Sequence, residues 1–129
     1  MRRRIPYILY SFKSMSLQIE HRETAEGVVI VTITGRLMLG TPNEQLDTLV
    51  AGLVEGGRRK FVFDLAGMTR IDSTGIGRFI YCYNKIAGSG GTLGLAGAAG
   101  YLRDGFRVSR LDTVFRFYPD VDTALQKMA

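Results

Sequence analysis

The sequence predicts a single α/β domain with a small mixed, mostly parallel sheet that starts with an N-terminal hairpin. Two strand-like runs follow one another near the start, separated by a short turn. After them, strand-like runs alternate with helical patterns, which favours right-handed crossovers between parallel strands. A length of 129 residues, with 46% hydrophobic and 22% charged residues, is typical of one ordinary globular domain.

The predicted hairpin comprises residues 16–23 and 28–34. In the first strand, Leu17 and Ile19 alternate with polar residues, as in a half-buried strand. The second strand is β-branched almost throughout and should be more buried. Gly35 is expected to end it.

A first helix is predicted after Gly40. Thr41 can serve as N-cap, Pro42 suits the first helical position, and Glu44 lies three residues after Thr41, which predicts a capping box. Leucines and valines then recur at helical spacing until Gly56.

The rest of the chain alternates between strands and helices. Residues 61–65 form a continuous apolar run, the pattern of a central strand covered on both faces. A helix from Ile76 to a stop at Gly88 carries an apolar stripe that we interpret as core, namely Ile76, Phe79, Ile80, Tyr83, Ile86 and Ala87. Further elements are predicted at residues 92–96 (strand), 99–106 (helix), 114–117 (strand) and 121–128 (helix).

The net charge of +5 is concentrated at the N-terminus. Residues 1–14 contain four basic residues and no acid, which leaves 13 basic against 12 acidic residues in the remainder. A nearly neutral domain argues against a nucleic-acid surface. Residues 1–14 are interpreted as a leader or disordered extension, or as an over-long start with Met15 as the initiator, and residues 15–129 as the domain.

Membrane spans, disulfides and metal sites are all disfavoured by the sequence. No stretch approaches the roughly 20 apolar residues of a membrane span. A single cysteine, Cys82, excludes an internal disulfide and suits the cytoplasm. One histidine, His21, together with one cysteine cannot build a zinc site, so we expect no metal and no cofactor.

Enzyme motifs also match poorly. No G-x-S-x-G elbow surrounds Ser73, and its Asp-Ser-Thr-Gly run has one residue too many for the Asp-Thr/Ser-Gly motif of aspartic proteases. The glycine-rich tract from Gly88 to Gly91 has Leu93 where a dinucleotide motif needs glycine, and runs from helix to strand. We expect a protein that is not an enzyme.

The junction from Asp72 to Gly77 remains as the candidate site. Capping would explain a carboxylate and hydroxyls before a helix, but not Gly75 and Gly77 in its first turn, where each glycine costs roughly 1 kcal/mol relative to alanine. These glycines are interpreted as clearance for a partner. A phosphate on Ser73 would be favoured by the helix N-terminus and would add about −1.5 to −2 charges beside Asp72.

The same residues resemble a known family. Asp72-Ser73-Thr74-Gly75-Ile76-Gly77 after the 61–65 strand is similar to the signature of STAS domains, in particular bacterial anti-sigma factor antagonists. The resemblance covers residues 15–129 and implies a small sheet with about four helices packed mainly on one face. One departure is Met38, where many members carry an aspartate that helps at the docking surface.

The resemblance implies a function and a set of site residues. Ser73 would be phosphorylated by an anti-sigma factor that is a serine kinase, and a PP2C-type phosphatase would reverse this. The unphosphorylated form would bind the anti-sigma factor and release a sigma factor. Expected partner-binding residues are Arg36, Met38, Asp72, Ser73, Thr74, Gly75, Ile76 and Gly77.

Two alternatives stay open at the sequence level. STAS domains also act as scaffolds in stress-signalling complexes or as accessory subunits of lipid transporters, without a phosphorylation switch. Nucleotide binding at the helix N-terminus is disfavoured because no lysine or magnesium-binding pair accompanies the loop. The sequence does not decide between a monomer and a weak dimer.

Overall fold

The computed structural model describes residues 9–98 and 100–128. Within these residues, seven strands form one sheet and four helices pack against it. In chain order the elements are β1 (Tyr10–Lys13), β2 (Leu17–Glu23), β3 (Val28–Leu37), α1 (Glu44–Glu55), β4 (Lys60–Asp64), β5 (Met68–Ile71), α2 (Ser73–Gly88), β6 (Thr92–Ala96), α3 (Tyr101–Val108), β7 (Arg116–Tyr118) and α4 (Val121–Met128).

The sheet is mixed and mostly parallel, as predicted. Its order is β1-β2-β3-β4-β6-β7; β1, β2 and β3 are antiparallel neighbours, and the pairs from β3 onwards are parallel. β5 lies off this path and pairs in parallel with the second half of β3. The predicted hairpin corresponds to β2 and β3.

Two hydrophobic cores lie on opposite faces of the sheet. Alternate residues of β3 and β4, such as Val31 and Phe63, face a large core closed by α1, α2 and α3. Their neighbours, such as Val62, face a smaller core under Leu125 of α4. Three of the four helices therefore cover one face, and β4 is covered on both, as its apolar run predicted.

The stripe of α2 is buried only in part. Phe79, Cys82 and Ile86 are buried in the large core, whereas Ile80 is 36% exposed. Ala87 is exposed as well, so the interpretation of Ile80 and Ala87 as core was wrong. On a helix Ile80 shares a side with residues 73 and 77, away from the sheet.

The N-terminal segment differs from the expectation of disorder. Residues 10–13, inside the predicted leader, form β1 in antiparallel register with β2. Tyr10 and Phe12 pack against the large core, and the Tyr10 hydroxyl donates a hydrogen bond to Gln45 Oε1 at 3.1 Å. Residues 1–8 of the predicted leader lie outside the described residues.

Gly35 does not end β3, contrary to prediction. The strand runs on to Leu37, and its register with β5 shifts between Gly35 and Arg36, as at a β-bulge. Gly35 has φ +99°, and a Cβ there would lie 2.4 Å from the carbonyl oxygen of Ser16. The glycine lets the strand bend at close backbone approach instead of stopping it.

The predicted capping box of α1 is not formed. The helix starts at Glu44, and Asn43 is its N-cap without a side-chain capping bond. Thr41 Oγ1 instead accepts a hydrogen bond from the Met38 backbone N–H at 3.0 Å. The hydroxyl closes the turn before the helix and so is not available to the helix.

Candidate functional site

The candidate site is the junction between β5 and α2. β5 ends at Ile71, Asp72 is the N-cap, and Ser73 is the first residue of α2. Asp72 is extended, with φ −123° and ψ −171°, and its Oδ1 accepts a hydrogen bond from the Gly75 backbone N–H at 3.0 Å. The sequence prediction of a cap at this position is confirmed.

Asp72 also ties the junction to a second loop. Its Oδ2 accepts a hydrogen bond from the Leu39 backbone N–H at 2.9 Å. This bond holds the β3–α1 loop beside the start of α2. The Leu39 bond is the main reason why the pKa of Asp72 lies below its ordinary value, because it stabilises the carboxylate; the bond from Gly75 adds to the effect.

The β3–α1 loop is itself well ordered by hydrogen bonds. Asn43 Nδ2 donates to the Met38 carbonyl oxygen at 2.8 Å, and Thr41 Oγ1 lies 2.8 Å from the same oxygen. The backbone of Met38 is thus fixed, while its side chain is half-buried. Leu39 is 80% exposed beside Asp72.

Ser73 is exposed at the start of the helix. Its hydroxyl makes no hydrogen bond to any residue that the structure describes. The oxygen is therefore free for another molecule, and it sits where the N-terminal end of α2 favours negative charge. No described contact of the Ser73 hydroxyl would have to break for a group to be added to it.

Catalytic and metal chemistry have little support at this junction. Among residues 9–98 and 100–128, no three or more His, Cys, Asp or Glu side chains are grouped to hold a metal ion. The thiol of Cys82 is buried under α2, and burial raises its pKa above the ordinary value, which leaves it a poor nucleophile. The Ser73 hydroxyl at this junction is exposed to solvent.

Comparison with known families matches residues 20–124 to the STAS domain model. The chain belongs to the STAS domain family. The STAS fold is also shared with solved structures at low sequence identity. An anti-sigma factor antagonist from Mycobacterium paratuberculosis is 23% identical, with a TM-score of 0.77 over 91% of this chain and 98% of that one.

Two other similar structures come from proteins with different descriptions. The Bacillus cell fate determinant SpoIIAA, an anti-sigma factor antagonist, in its phosphorylated form is 15% identical, with a TM-score of 0.69 over 86% of this chain and 99% of that one. A sulfate transporter family protein from Wolinella succinogenes is 21% identical, with a TM-score of 0.70 over 79% of this chain and 84% of that one. These likenesses show the fold.

This STAS domain gathers most of the predicted site residues in one place. The Asp72–Leu39 bond and the pairing of Leu37 with Ile71 bring the segment that contains Arg36 and Met38 beside the junction. Arg36 is exposed on β3, and its Cα partner on β5 is Arg70. Thr74 and Gly77 are half-buried.

Gly75 and Ile76 are buried, which changes their interpretation. Ile76 is 8% exposed. A Cβ on Gly75 would lie 2.0 Å from the Leu37 carbonyl oxygen, so this glycine is needed for packing against β3. Its prediction as clearance for a partner is therefore wrong. Around Gly77 nothing lies within 4 Å of a Cβ position, so clearance remains a prediction there.

Sequence reasoning missed Leu39 and the exposed side of α2. Leu39, Ile80 and Tyr81 are exposed apolar or aromatic side chains near the junction or on the helix that begins there. Ile80 follows Ser73 by seven residues, two helical turns, so helical spacing would have placed both on one side. Leu39 had no such signal, because the bond to Asp72 joins residues 33 positions apart.

Proposed function

We propose that this STAS domain is an anti-sigma factor antagonist whose binding to a partner is switched off by phosphorylation of Ser73. The observation that carries the proposal is that Ser73, the first residue of α2, is exposed. Its hydroxyl makes no hydrogen bond within the described residues. The fold similarity to SpoIIAA, which has been solved in unphosphorylated and phosphorylated forms, supports it.

The proposed partner is an anti-sigma factor that is also a serine kinase. The unphosphorylated antagonist binds it and releases a sigma factor, and a PP2C-type phosphatase restores the binding form. The antagonist is then the substrate of the reaction and not an enzyme. In this proposal the antagonist acts in the cytoplasm, where the sigma factor would be released.

The negative charge of a phosphate explains why phosphorylation would weaken partner binding. A phosphate would add about −1.5 to −2 charges next to the Asp72 carboxylate, which is ionised at neutral pH like an ordinary aspartate. The helix N-terminus favours that charge within the domain. A partner that covers the junction with carboxylates or with an apolar surface against Leu39 would be repelled or left with a buried charge.

Incubation with the cognate kinase and ATP tests the proposal. We expect one phosphate on Ser73 by mass spectrometry, absent in Ser73→Ala. Ser89→Ala is the matched control, because Ser89 is an exposed serine at the other end of α2 and its loss should leave modification unchanged. Ser73→Asp should weaken binding of the anti-sigma factor by about tenfold or more.

An active kinase that leaves Ser73 unmodified would overturn the proposal. So would equal affinity of the wild type and Ser73→Asp for the anti-sigma factor.

A second candidate is a scaffold or accessory subunit without a phosphorylation switch. The observation in its favour is the apolar loop at Met38 and Leu39, where a polar contact to a kinase was expected from the family. The fold is also found in a sulfate transporter family protein. Co-purification with a transporter ATPase or permease, in place of a kinase, would favour this candidate.

A further inference from the structure

β5 has a free edge. It pairs with β3 on one side, and no other described strand or loop bonds to the backbone of residues 69–71. In a parallel ladder, alternate residues direct both their N–H and C=O groups away from the partner strand. β5 therefore presents unpaired backbone groups along a surface cavity of about 390 Å³ lined by Thr69, Arg70, Ile71 and Tyr101.

One side of this edge is basic. Leu37 and Ile71 pack into the large core, so alternation along each strand places Arg36 and Arg70 on the opposite face of the sheet. The two arginines are Cα partners, both are exposed, and neither has an acidic partner among the residues that the structure describes. Like charges on paired residues repel each other and destabilise a sheet. An anionic ligand bound between the two arginines would reduce this repulsion.

The other side of the edge is apolar. Tyr101, at the start of α3, is 53% exposed beside the cavity, and Ile71 is half-buried. An extended peptide that added a strand here would send alternate side chains to opposite faces. Carboxylates would then face the arginines, and apolar side chains would face Tyr101.

We propose that the β5 edge binds an extended acidic segment of a partner protein, with alternating carboxylate and apolar residues, by strand addition. Charge decides between the possible occupants. A second copy of this chain paired edge to edge would present the same arginines to this edge and not carboxylates. Residues 1–14 of the chain contain four basic residues and no acid, so they are not complementary either. This surface goes beyond the proposed switch, because it requires neither a kinase nor modification of Ser73.

Nuclear magnetic resonance of the ¹⁵N-labelled full chain tests the proposal with a synthetic peptide, acetyl-Glu-Val-Glu-Val-Glu-Val-amide. We expect saturable shifts of the backbone amides of Thr69, Arg70, Ile71 and Tyr101, stronger at low salt. Arg70→Glu should lower the affinity about tenfold or more, and Arg36→Glu should lower it in the same direction. Arg116→Glu, on the edge strand β7, is the matched control and should have little effect.

Two further peptides separate strand addition from simple charge attraction. A peptide with every backbone nitrogen methylated keeps its carboxylates but cannot donate along the edge, and we expect it not to bind. A peptide with lysine in place of glutamate should not bind either. The proposal is overturned if shifts are absent at millimolar peptide, are centred on β1 or β7, or persist with Arg70→Glu or with either control peptide.

Discussion

Gly75 and Gly77 stand two residues apart in the first turn of α2 and meet opposite surroundings. A Cβ on Gly75 would clash with backbone, the carbonyl oxygen of Leu37, whereas a Cβ on Gly77 meets nothing within 4 Å. The same residue type thus serves internal packing at one position and leaves open space at the other. Single alanine substitutions separate these two roles.

Gly75→Ala should destabilise the domain by roughly 2 kcal/mol or more, because β3 and α2 must move apart. Gly77→Ala should be neutral or stabilising by up to about 1 kcal/mol, because alanine is the better helix former. Urea denaturation of both variants measures the difference. If Gly77 provides clearance, Gly77→Ala will weaken partner binding despite its stability; equal affinity would refute that role.

Asp72 performs two structural tasks with one carboxylate, since it caps α2 and anchors Leu39. Asp120 is a matched control: its Oδ1 caps α4 through the Thr123 N–H at 2.8 Å, and no described loop is held by it. We expect Asp72→Ala to lower the free energy of unfolding by about 1–2 kcal/mol, and Asp120→Ala to cost less. Equal losses in urea denaturation would argue against the Leu39 anchor.

The pH dependence of the Asp72 contribution has a defined sign. Its folded-state pKa lies below the ordinary value of 3.8, so the carboxylate adds stability above that pH. The contribution is lost as the pH falls through the lowered pKa. The stability difference between the wild type and Asp72→Asn should therefore be constant near neutral pH and shrink in acid, as measured by urea denaturation at several pH values. A difference that grew in acid would contradict this assignment.

At the scale of elements, β1 extends the sheet beyond the hairpin that the sequence predicts. Its pairing with β2 covers the edge of the sheet, and Tyr10 and Phe12 add partly buried surface to the large core. The Tyr10–Gln45 hydrogen bond links the strand to α1. These contacts make the strand part of the domain.

Truncation tests whether β1 stabilises the domain. A chain that starts at Met15 should lose at least about 2 kcal/mol of unfolding free energy relative to one that starts at Leu9, because apolar burial and strand pairing are removed. Thermal and urea denaturation of the two chains give the comparison. Since both lack residues 1–8, the difference isolates residues 9–14. Identical midpoints would show that β1 adds nothing to stability.

At the scale of the whole molecule, the junction is separated from what holds the fold together. Phe79, Cys82 and Ile86 anchor α2 in the large core, while Ser73 at its start is exposed. We therefore predict that charge added at Ser73 would alter the exposed surface of the junction and leave both cores unchanged.

Ser73→Asp should accordingly change the free energy of unfolding by less than about 1 kcal/mol, because the helix N-terminus compensates for repulsion by Asp72. Urea denaturation of Ser73→Asp and of Ser73→Ala measures this beside the binding assay. A loss of several kcal/mol would show that the added charge acts through unfolding and not through the surface.

The sequence by itself determined the α/β class, the hairpin, the two-sided burial of β4 and the capped start of α2. The class, the hairpin and the burial follow from the local periodicity of apolar residues. The cap follows from Asp72, which directly precedes the helix that it caps. Only the tertiary structure showed the register shift between Gly35 and Arg36, the pairing of β5 with β3, the role of Gly75 and the Asp72–Leu39 bond. These features depend on contacts between residues far apart in the chain, such as Leu37 and Gly75, and a pattern within one segment does not encode its neighbour in space.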